Sequence, residues 1–377
     1  MLMTTSIKNI NFSFIFVLIS KLCFGQIELN PGIDTSSVAH KDILKFWTEY
    51  LESRPSKGST AYLDFWNEDI RSNLKQPDLT LHAINTENST LLMAYPTILS
   101  ILSYKNNFYQ IKTAMGWSDT TSHIKLLAIV NHYVKKTDDK YKLYAPIEVE
   151  ENIEVIDYND FRIYTVTGTV IPQETLDELI AFIRKLKSDF NIREQKKMIV
   201  IYGKTHKETD TILGFDFNLM SSTNNPSSGI SDLSNNLIVL NGLSPIFHET
   251  THIYLNPIFT ETPLLEGLAT FYGGSMGKTL TENIKYLYNH VSSAGKDVNL
   301  YGILEESYYY VDNSHNPTYT LQGLLIQMAH DKGGVEEVKN LLSYPDFDAI
   351  FRKYFNLEGE KQIDAFIREE LRKRAMK

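Results

Sequence analysis

Cysteine is almost absent from this chain. Its 377 residues hold one, Cys23, so no disulfide can form within the chain and stability must come from the core and any bound metal. Long basic runs are missing too, and the formal net charge is -9; electrostatic binding of nucleic acid or of anionic lipid therefore has no support. The longest N-terminal apolar run, residues 10–19, falls well short of the roughly 20 residues that span a bilayer. There is no internal repeat and no low-complexity segment. Hydrophobic residues at 42% and charged residues at 22% match ordinary globular usage and rule out a disordered chain or a coiled-coil rod. At roughly 150 residues per domain, the length suggests two domains. The 22 Tyr and 19 Phe can line a groove for peptide or sugar, although their default place is the core.

The N-terminus reads as an export signal. Lys8 precedes the apolar run, and Cys23 and Gly25 place small residues at the two positions a signal peptidase inspects, so residues 1–25 are expected to be cleaved before Gln26. A lipoprotein is disfavoured by Lys21 and Leu22 before Cys23. Cleavage removes Lys8, Lys21 and no acid, leaving a mature chain that is more acidic, free of cysteine and without stable membrane insertion. The expected location is outside the cytoplasm, secreted or in the periplasm or cell envelope.

Two units are expected after the signal. In residues 26–158, a helix over 39–53 buries a face carrying Ile43, Leu44, Trp47, Tyr50 and Leu51. Strands are expected over 91–101, 108–113, 124–134 and 141–149, separated by Asn, Asp and Lys turn material. A helix against a curved antiparallel sheet resembles cystatin-like or nuclear-transport-factor-2-like folds in element order. His82, His123 and His132 stand alone, as surface or satisfied core histidines do. The second unit, 159–377, opens with a strand over 161–167. A helix follows, with a stripe of Leu176, Leu179, Ile180, Ile183, Leu186 and Phe190, and then a strand over 198–202. A Ser/Asn/Gly-rich loop over 221–236 leads to a strand over 237–240. From 279 onward the pattern is helical, opened by a capping box of Thr279 and Glu282 and punctuated at Gly333, Gly334 and Pro345. The fold class is α+β.

The chemistry concentrates at His248, Glu249, Thr250, Thr251 and His252. Ser244 as cap, Pro245 at the first helical position and a stop at Asn256 and Pro257 put the motif on a helix of about three turns. Four residues apart, His248 and His252 project from one face and can share one ion at about 2.0–2.1 Å. Glu249 is rotated off that face, where it can take a proton from water at the open metal position. By composition such a pattern arises by chance about 0.02 times in a chain like this, which weighs against a purely structural pair of histidines.

Catalytic zinc needs a third protein ligand. Thr262 and Pro263 start a second helix carrying Glu266, Gly267, Leu268, Ala269 and Thr270 and stopping near Gly273 and Gly274; Glu266 is the expected ligand. Glu261 is its local rival, but it lies before the cap, where orientation is less fixed. Gly267 is expected to let the two helices approach closely. For a donor to the developing oxyanion the candidates are Tyr319, at the start of a helix, and His315, in a loop with Asn313, Asn316 and Pro317. The run Tyr308, Tyr309 and Tyr310 reads as packing.

These residues carry a family likeness. His248 to His252 followed by Leu264, Leu265, Glu266, Gly267, Leu268, Ala269 and Thr270 resembles the gluzincin, or peptidase MA-like, zinc metallopeptidases, in which a Glu-Gly-x-Ala helix supplies the third zinc ligand. Tyr319 with Gly323, Leu324 and Leu325, and then Gly333 and Gly334, is similar to that family's helical lobe. The likeness covers about 160–377, and its specific motifs about 25 residues. Two features depart from the pattern: thirteen residues separate His252 from Glu266, fewer than in the thermolysin and aminopeptidase branches, and Pro263 stands where tryptophan is common. The resemblance implies a zincin-like catalytic unit, an α/β lobe plus a helical C-terminal lobe. It implies one Zn2+ per chain on His248, His252 and Glu266, Glu249 as general base, Tyr319 as oxyanion donor, and a peptide or protein substrate. Strand 237–240 is then the expected edge that pairs with an extended substrate. The rival is a non-catalytic exported binding or surface protein with structural zinc or none; an intact Glu249 argues against it.

Overall fold

The computed structural model describes residues 27–53, 60–81, 94–118, 124–193, 197–223, 228–294, 298–305, 311–312 and 314–377. The expected signal, His82, His123, Asn313 and the tyrosine run lie outside them, as does the start of the expected 91–101 strand. Contacts divide the chain into two mixed α+β units. The first holds the described residues up to and including Ser72, Pro77–Val149 and Gly214–Met220; the second holds Glu150–Leu213, Ser221–Lys377 and the short piece Asn73–Gln76. Residues 150–157 thus group with the second unit, although the sequence pattern opens that unit near Tyr158.

In the first unit, β1 (Glu28–Leu29) leads to helix α1 (Val38–Glu52), capped by the Ser37 side chain. The short helix α2 (Glu68–Asn73) precedes the strands β2 (Tyr95–Ser103), β3 (Phe108–Ser118), β4 (Ile124–Thr137) and β5 (Lys140–Tyr144), and α3 (Pro146–Val149) closes the run. The sheet order is β1-β2-β3-β4-β5, antiparallel except for the parallel β1–β2 pair. Strand β3 outruns its expected end, its ladder with β4 running to Ser118 past a register shift at Met115/Gly116. The expected 141–149 strand stops at Tyr144: Pro146 has no N–H for the ladder, and the Glu148 carboxylate accepts from Ala145 N at 2.8 Å, starting a helical turn.

Period-two alternation on β4 turns His132 into the core beside Val130 and Val134, all three buried. A buried imidazole needs a partner. His132 Nε2 lies 3.2 Å from Asp78 Oδ1, and the Tyr50 hydroxyl donates to Asp78 Oδ2 at 2.5 Å. Thr80 N and Leu81 N donate to Asp78 Oδ1, at 3.1 and 2.8 Å. Trp66 Nε1 donates to the Tyr50 hydroxyl, and Trp47 Nε1 donates to Thr113 Oγ1 on β3. Helix α1 is thereby joined to the sheet through buried hydrogen bonds. Burial and the Asp78 carboxylate push the Tyr50 hydroxyl pKa well above its ordinary value. His132 is therefore a core histidine held through Nε2, while its buried Nδ1 has no hydrogen-bond partner among the described residues.

The second unit is built on a five-stranded sheet, order β10-β11-β8-β7-β6. Strands β6 (Ile153–Asp157) and β7 (Phe161–Val166) form an antiparallel pair; α4 (Gln173–Asp189) crosses over to β8 (Met198–Gly203), parallel to β7. After α5 (His206–Leu213), the chain gives β9 (Phe215–Asn218) to the first unit's sheet, paired with β4. It then forms β10 (Gly229–Asp232) and β11 (Leu237–Asn241). Strand β8 is buried at every residue, as a central strand covered on both faces must be.

Beside α4 and α5, seven α-helices are found among the unit's remaining described residues: α6 (Ile246–Leu255), α7 (Leu265–Gly273), α8 (Leu280–Ala294), α9 (Leu300–Glu305), α10 (Pro317–Leu342), α11 (Phe347–Ala349), which runs into a π-helical turn at Ile350–Tyr354, and α12 (Glu360–Ala375). The Thr279–Glu282 capping box forms at the start of α8, with Thr279 N donating to Glu282 Oε2 at 2.7 Å. Gly333 and Gly334 have non-helical dihedrals and break α10 where the sequence is punctuated. None of the helices among the described residues is long and apolar enough to cross a membrane.

The Asp78 network generates an expected outcome. Asp78→Ala removes the shared acceptor of the Tyr50 hydroxyl, two backbone N–H groups and His132 in the core, so the unfolding free energy should fall by about 3–5 kcal/mol. Denaturant unfolding followed by tryptophan fluorescence measures it. A loss below about 1 kcal/mol would show that the network is dispensable.

Candidate metal centre and active site

Helix α6 carries the His-Glu-x-x-His pattern, and nearly all of it is buried. It packs on α4, α7, β10 and β11. Its start differs by one residue from expectation: Pro245 is the cap, and Ser244 lies in the preceding turn. Helix α7 also starts later than expected. Leu264 is its cap, while Thr262 and Pro263 lie ahead of it and the Thr262 hydroxyl makes no hydrogen bond among the described residues. The cap comes instead from 55 residues away, where Gln322 Oε1 on α10 accepts from Gly267 N at 3.0 Å. The role expected of Gly267 changes accordingly: a Cβ there would lie 2.4 Å from Gln322 Cβ, so its missing side chain admits α10. The close approach of α6 and α7 depends on Gly273, where a Cβ would meet His248 N at 2.3 Å.

Three side chains converge between these helices. His248 Nε2 and His252 Nε2 are 3.2 Å apart, and Glu266 Oε2 lies 3.3 Å from the first and 3.5 Å from the second. Both histidines are buried, and the Glu266 side chain is 38% exposed. The outer ring nitrogens face acceptors: His248 Nδ1 is 2.7 Å from Gly274 O, and His252 Nδ1 is 3.2 Å from Asn256 Oδ1. Each Nδ1 must then be the N–H, which leaves both Nε2 atoms as lone pairs in the neutral rings.

Two imidazole lone pairs and a carboxylate oxygen, with no donor between them, repel one another unless a cation sits in their midst. For a tetrahedral ion at about 2.0–2.1 Å, ligand atoms stand about 3.3–3.4 Å apart, close to the spacings here. The residues therefore fit a zinc-sized ion, and His248, His252 and Glu266 are the single such group found among the described residues. Without a cation, protons do part of this work. Burial would raise Glu266, but hydrogen bonds to His248 and His252 hold its carboxyl well below the usual range. Burial pulls His252 down, but hydrogen bonding and charge from Glu266 raise it overall. Glu261, the rival ligand, is exposed and takes no part in the group.

The three residues line an open cleft of about 1550 Å³ together with Glu249, Tyr319 and the edge strand β10. Glu249 is buried beside the histidines. Burial raises its carboxyl pKa, the histidine charges oppose that rise, and the Ser231 side chain on β10 hydrogen-bonds to it; a bound dication would add to the opposition. Strand β10 runs so close that a Cβ on Gly229 would lie 2.8 Å from Glu249 Oε1. The Tyr319 ring stacks near His248, with centroids 6.1 Å apart and planes 21° apart, and Asn316 caps its helix through Tyr319 N.

His315 is turned away from the cleft and fully buried, with Nδ1 3.1 Å from Asn283 Oδ1 and its ring against Tyr286. Burial, helped by the Lys278 charge, lowers its pKa to about 4. The strand at the cleft also differs from expectation. β11 lies inside the sheet between β8 and β10, and the edge is β10, within the stretch expected to be loop. Its sequence, Gly-Ile-Ser-Asp, has no apolar alternation to announce it. Comparison with models of known families, with characterised proteins and with solved structures gives no match.

Two outcomes are expected. Full-length protein should carry about one zinc per chain; His248→Ala, His252→Ala and Glu266→Ala should each lose most of it, while Glu261→Ala keeps it, as read by elemental analysis after gel filtration. Full zinc in the Glu266 variant would remove that residue from the ligand set. The second outcome concerns pH. With a folded pKa near 4 against about 6.5 unfolded, His315 binds more protons in the unfolded chain. Its contribution is complete above about pH 6.5 and is lost as pH falls toward 4, amounting to about 3 kcal/mol. Unfolding curves of His315→Gln should lack this portion of the acid destabilisation; identical pH slopes in wild type and variant would contradict it.

Proposed function

We propose that this chain is an exported zinc-dependent peptidase of gluzincin-like architecture that hydrolyses peptide bonds. The observation that carries this reading is the donor-free convergence of His248, His252 and Glu266 beside a buried, reachable Glu249 in one open cleft. Zinc held by those three residues would lower the pKa of a water to about 7 and polarise the scissile carbonyl. Gly274 O and Asn256 Oδ1 hold the imidazoles in the ligating tautomer. Glu249, whose burial raises the basicity of its carboxylate, accepts in its ionised form the proton of the attacking water and returns it to the leaving amine. The Tyr319 hydroxyl, from a ring that lines the cleft beside His248, is assigned the donor to the oxyanion. β10 offers an extended substrate a strand to pair with, next to the base. All these groups belong to the second unit, and the first unit is assigned to positioning substrate or partner. Export rests on the N-terminal sequence.

Glu249→Gln keeps shape and hydrogen bonding but removes the base, so turnover on peptides should fall by orders of magnitude with zinc content and melting temperature near wild type. Activity within a few-fold of wild type would refute the mechanism. Tyr319→Phe should cost on the order of 10² in turnover, and an unchanged rate would take the oxyanion role from Tyr319.

A further inference from the structure

Between α7 and α8 the chain makes a two-residue hairpin at the mouth of the cleft. Ser275 N donates to Lys278 O at 2.9 Å and Lys278 N donates to Ser275 O at 3.1 Å, so Met276 and Gly277 form the tip. Both have positive φ, 53° and 76°. That geometry is made for Asn-Gly or Gly-Gly; an unbranched apolar side chain at the first position gains nothing locally from it and is held in a disfavoured conformation. The hairpin is tightly held. Asn283, buried on α8, donates to Ser275 O and Lys278 O, the Lys278 ammonium donates to Ser314 O, and Gly274 O at the hairpin's base holds His248.

On this fixed support Met276 is 40% exposed, and it lines the cleft. Ile230, on β10, is the other large exposed apolar side chain among the described residues lining it, at 38%. Half-buried Phe247 and Phe271 lie in the same cleft. A strained backbone that presents an apolar side chain to an open groove, instead of tucking it away, points to a contact made with something that enters the groove.

We infer that Met276 is a specificity-determining residue: the hairpin 274–278 presses its thioether against an apolar side chain of the substrate near the scissile bond, selecting peptides with an aliphatic or aromatic residue there. The inference rests on the peptidase reading for its substrate class. Met suits such a contact because its flexible, polarisable chain fits branched and aromatic partners alike. The selectivity is one of binding, so it has a readout apart from turnover.

Met276→Asn is the informative variant, because Asn accepts the left-handed position and should leave the hairpin formed, with a melting temperature equal to or above that of wild type. Two measurements on full-length, zinc-loaded protein test the inference. In the Glu249→Gln background, calorimetry compares extended synthetic peptides that differ only in carrying Leu, Phe, Ser or Asp at one scanned position. Adding Met276→Asn should weaken the best Leu and Phe peptides about tenfold and leave the Ser and Asp peptides within twofold. With Glu249 intact, mass-spectrometric profiling of a defined peptide mixture should show apolar residues enriched beside the cleavage site, and less so in Met276→Asn. Met276-dependent apolar binding with no cleavage of any peptide would uphold the recognition role and overturn the peptidase reading. Cleavage with the same profile and the same affinities in Met276→Asn would keep the peptidase reading and overturn the inference.

Discussion

The rest of the site depends on one electrostatic constraint: two imidazole lone pairs and a carboxylate oxygen point at a common spot within 3.2–3.5 Å of one another, with no donor among them. Gly274 O and Asn256 Oδ1 impose it by claiming the Nδ1 protons. Such an arrangement is unfavourable in a buried, low-dielectric setting unless a cation or protons occupy it. The opposite pKa directions of Glu266 and His252 express that demand.

The surrounding structure serves this convergence. α6 and α7 come together only because Gly273 places nothing between them and the His248 backbone, and α10 seats against α7 only because Gly267 does the same for Gln322. Gln322 returns the favour by capping the α7 start next to Glu266. The hairpin that follows α7 fixes His248 through Gly274 and is itself locked by Asn283 from α8. His248 on α6 is thus oriented by the base of the same hairpin that carries Met276 at its tip.

Much of this was legible in the sequence, for identifiable reasons. The stripe on α1, the Thr279–Glu282 cap and the four-residue spacing of the histidines are local patterns, and local patterns survive folding. The mixed α+β class follows from the alternation of such patterns. What escaped was tertiary. The cap of α7 comes from Gln322, far along the chain, so Thr262 looked like the cap and was not. β10 has no apolar alternation and exists because β11 offers it a ladder. The Asp78 partner of His132 could not be foreseen from an isolated histidine, since 54 residues separate them. Neither could the choice between Tyr319 in the cleft and His315 in the core, which turns on Asn283 and Tyr286 from α8.

The central claim is that His248, His252 and Glu266 form a zinc site with an open position. X-ray absorption at the zinc edge of full-length protein, purified without chelator, tests it most directly. The account expects a four-coordinate, all-nitrogen-and-oxygen shell at about 2.0–2.1 Å, including two imidazoles, with the same edge altered when a small hydroxamate is added. A protein that holds no stoichiometric zinc, or a six-oxygen shell with no imidazole scattering, would contradict it.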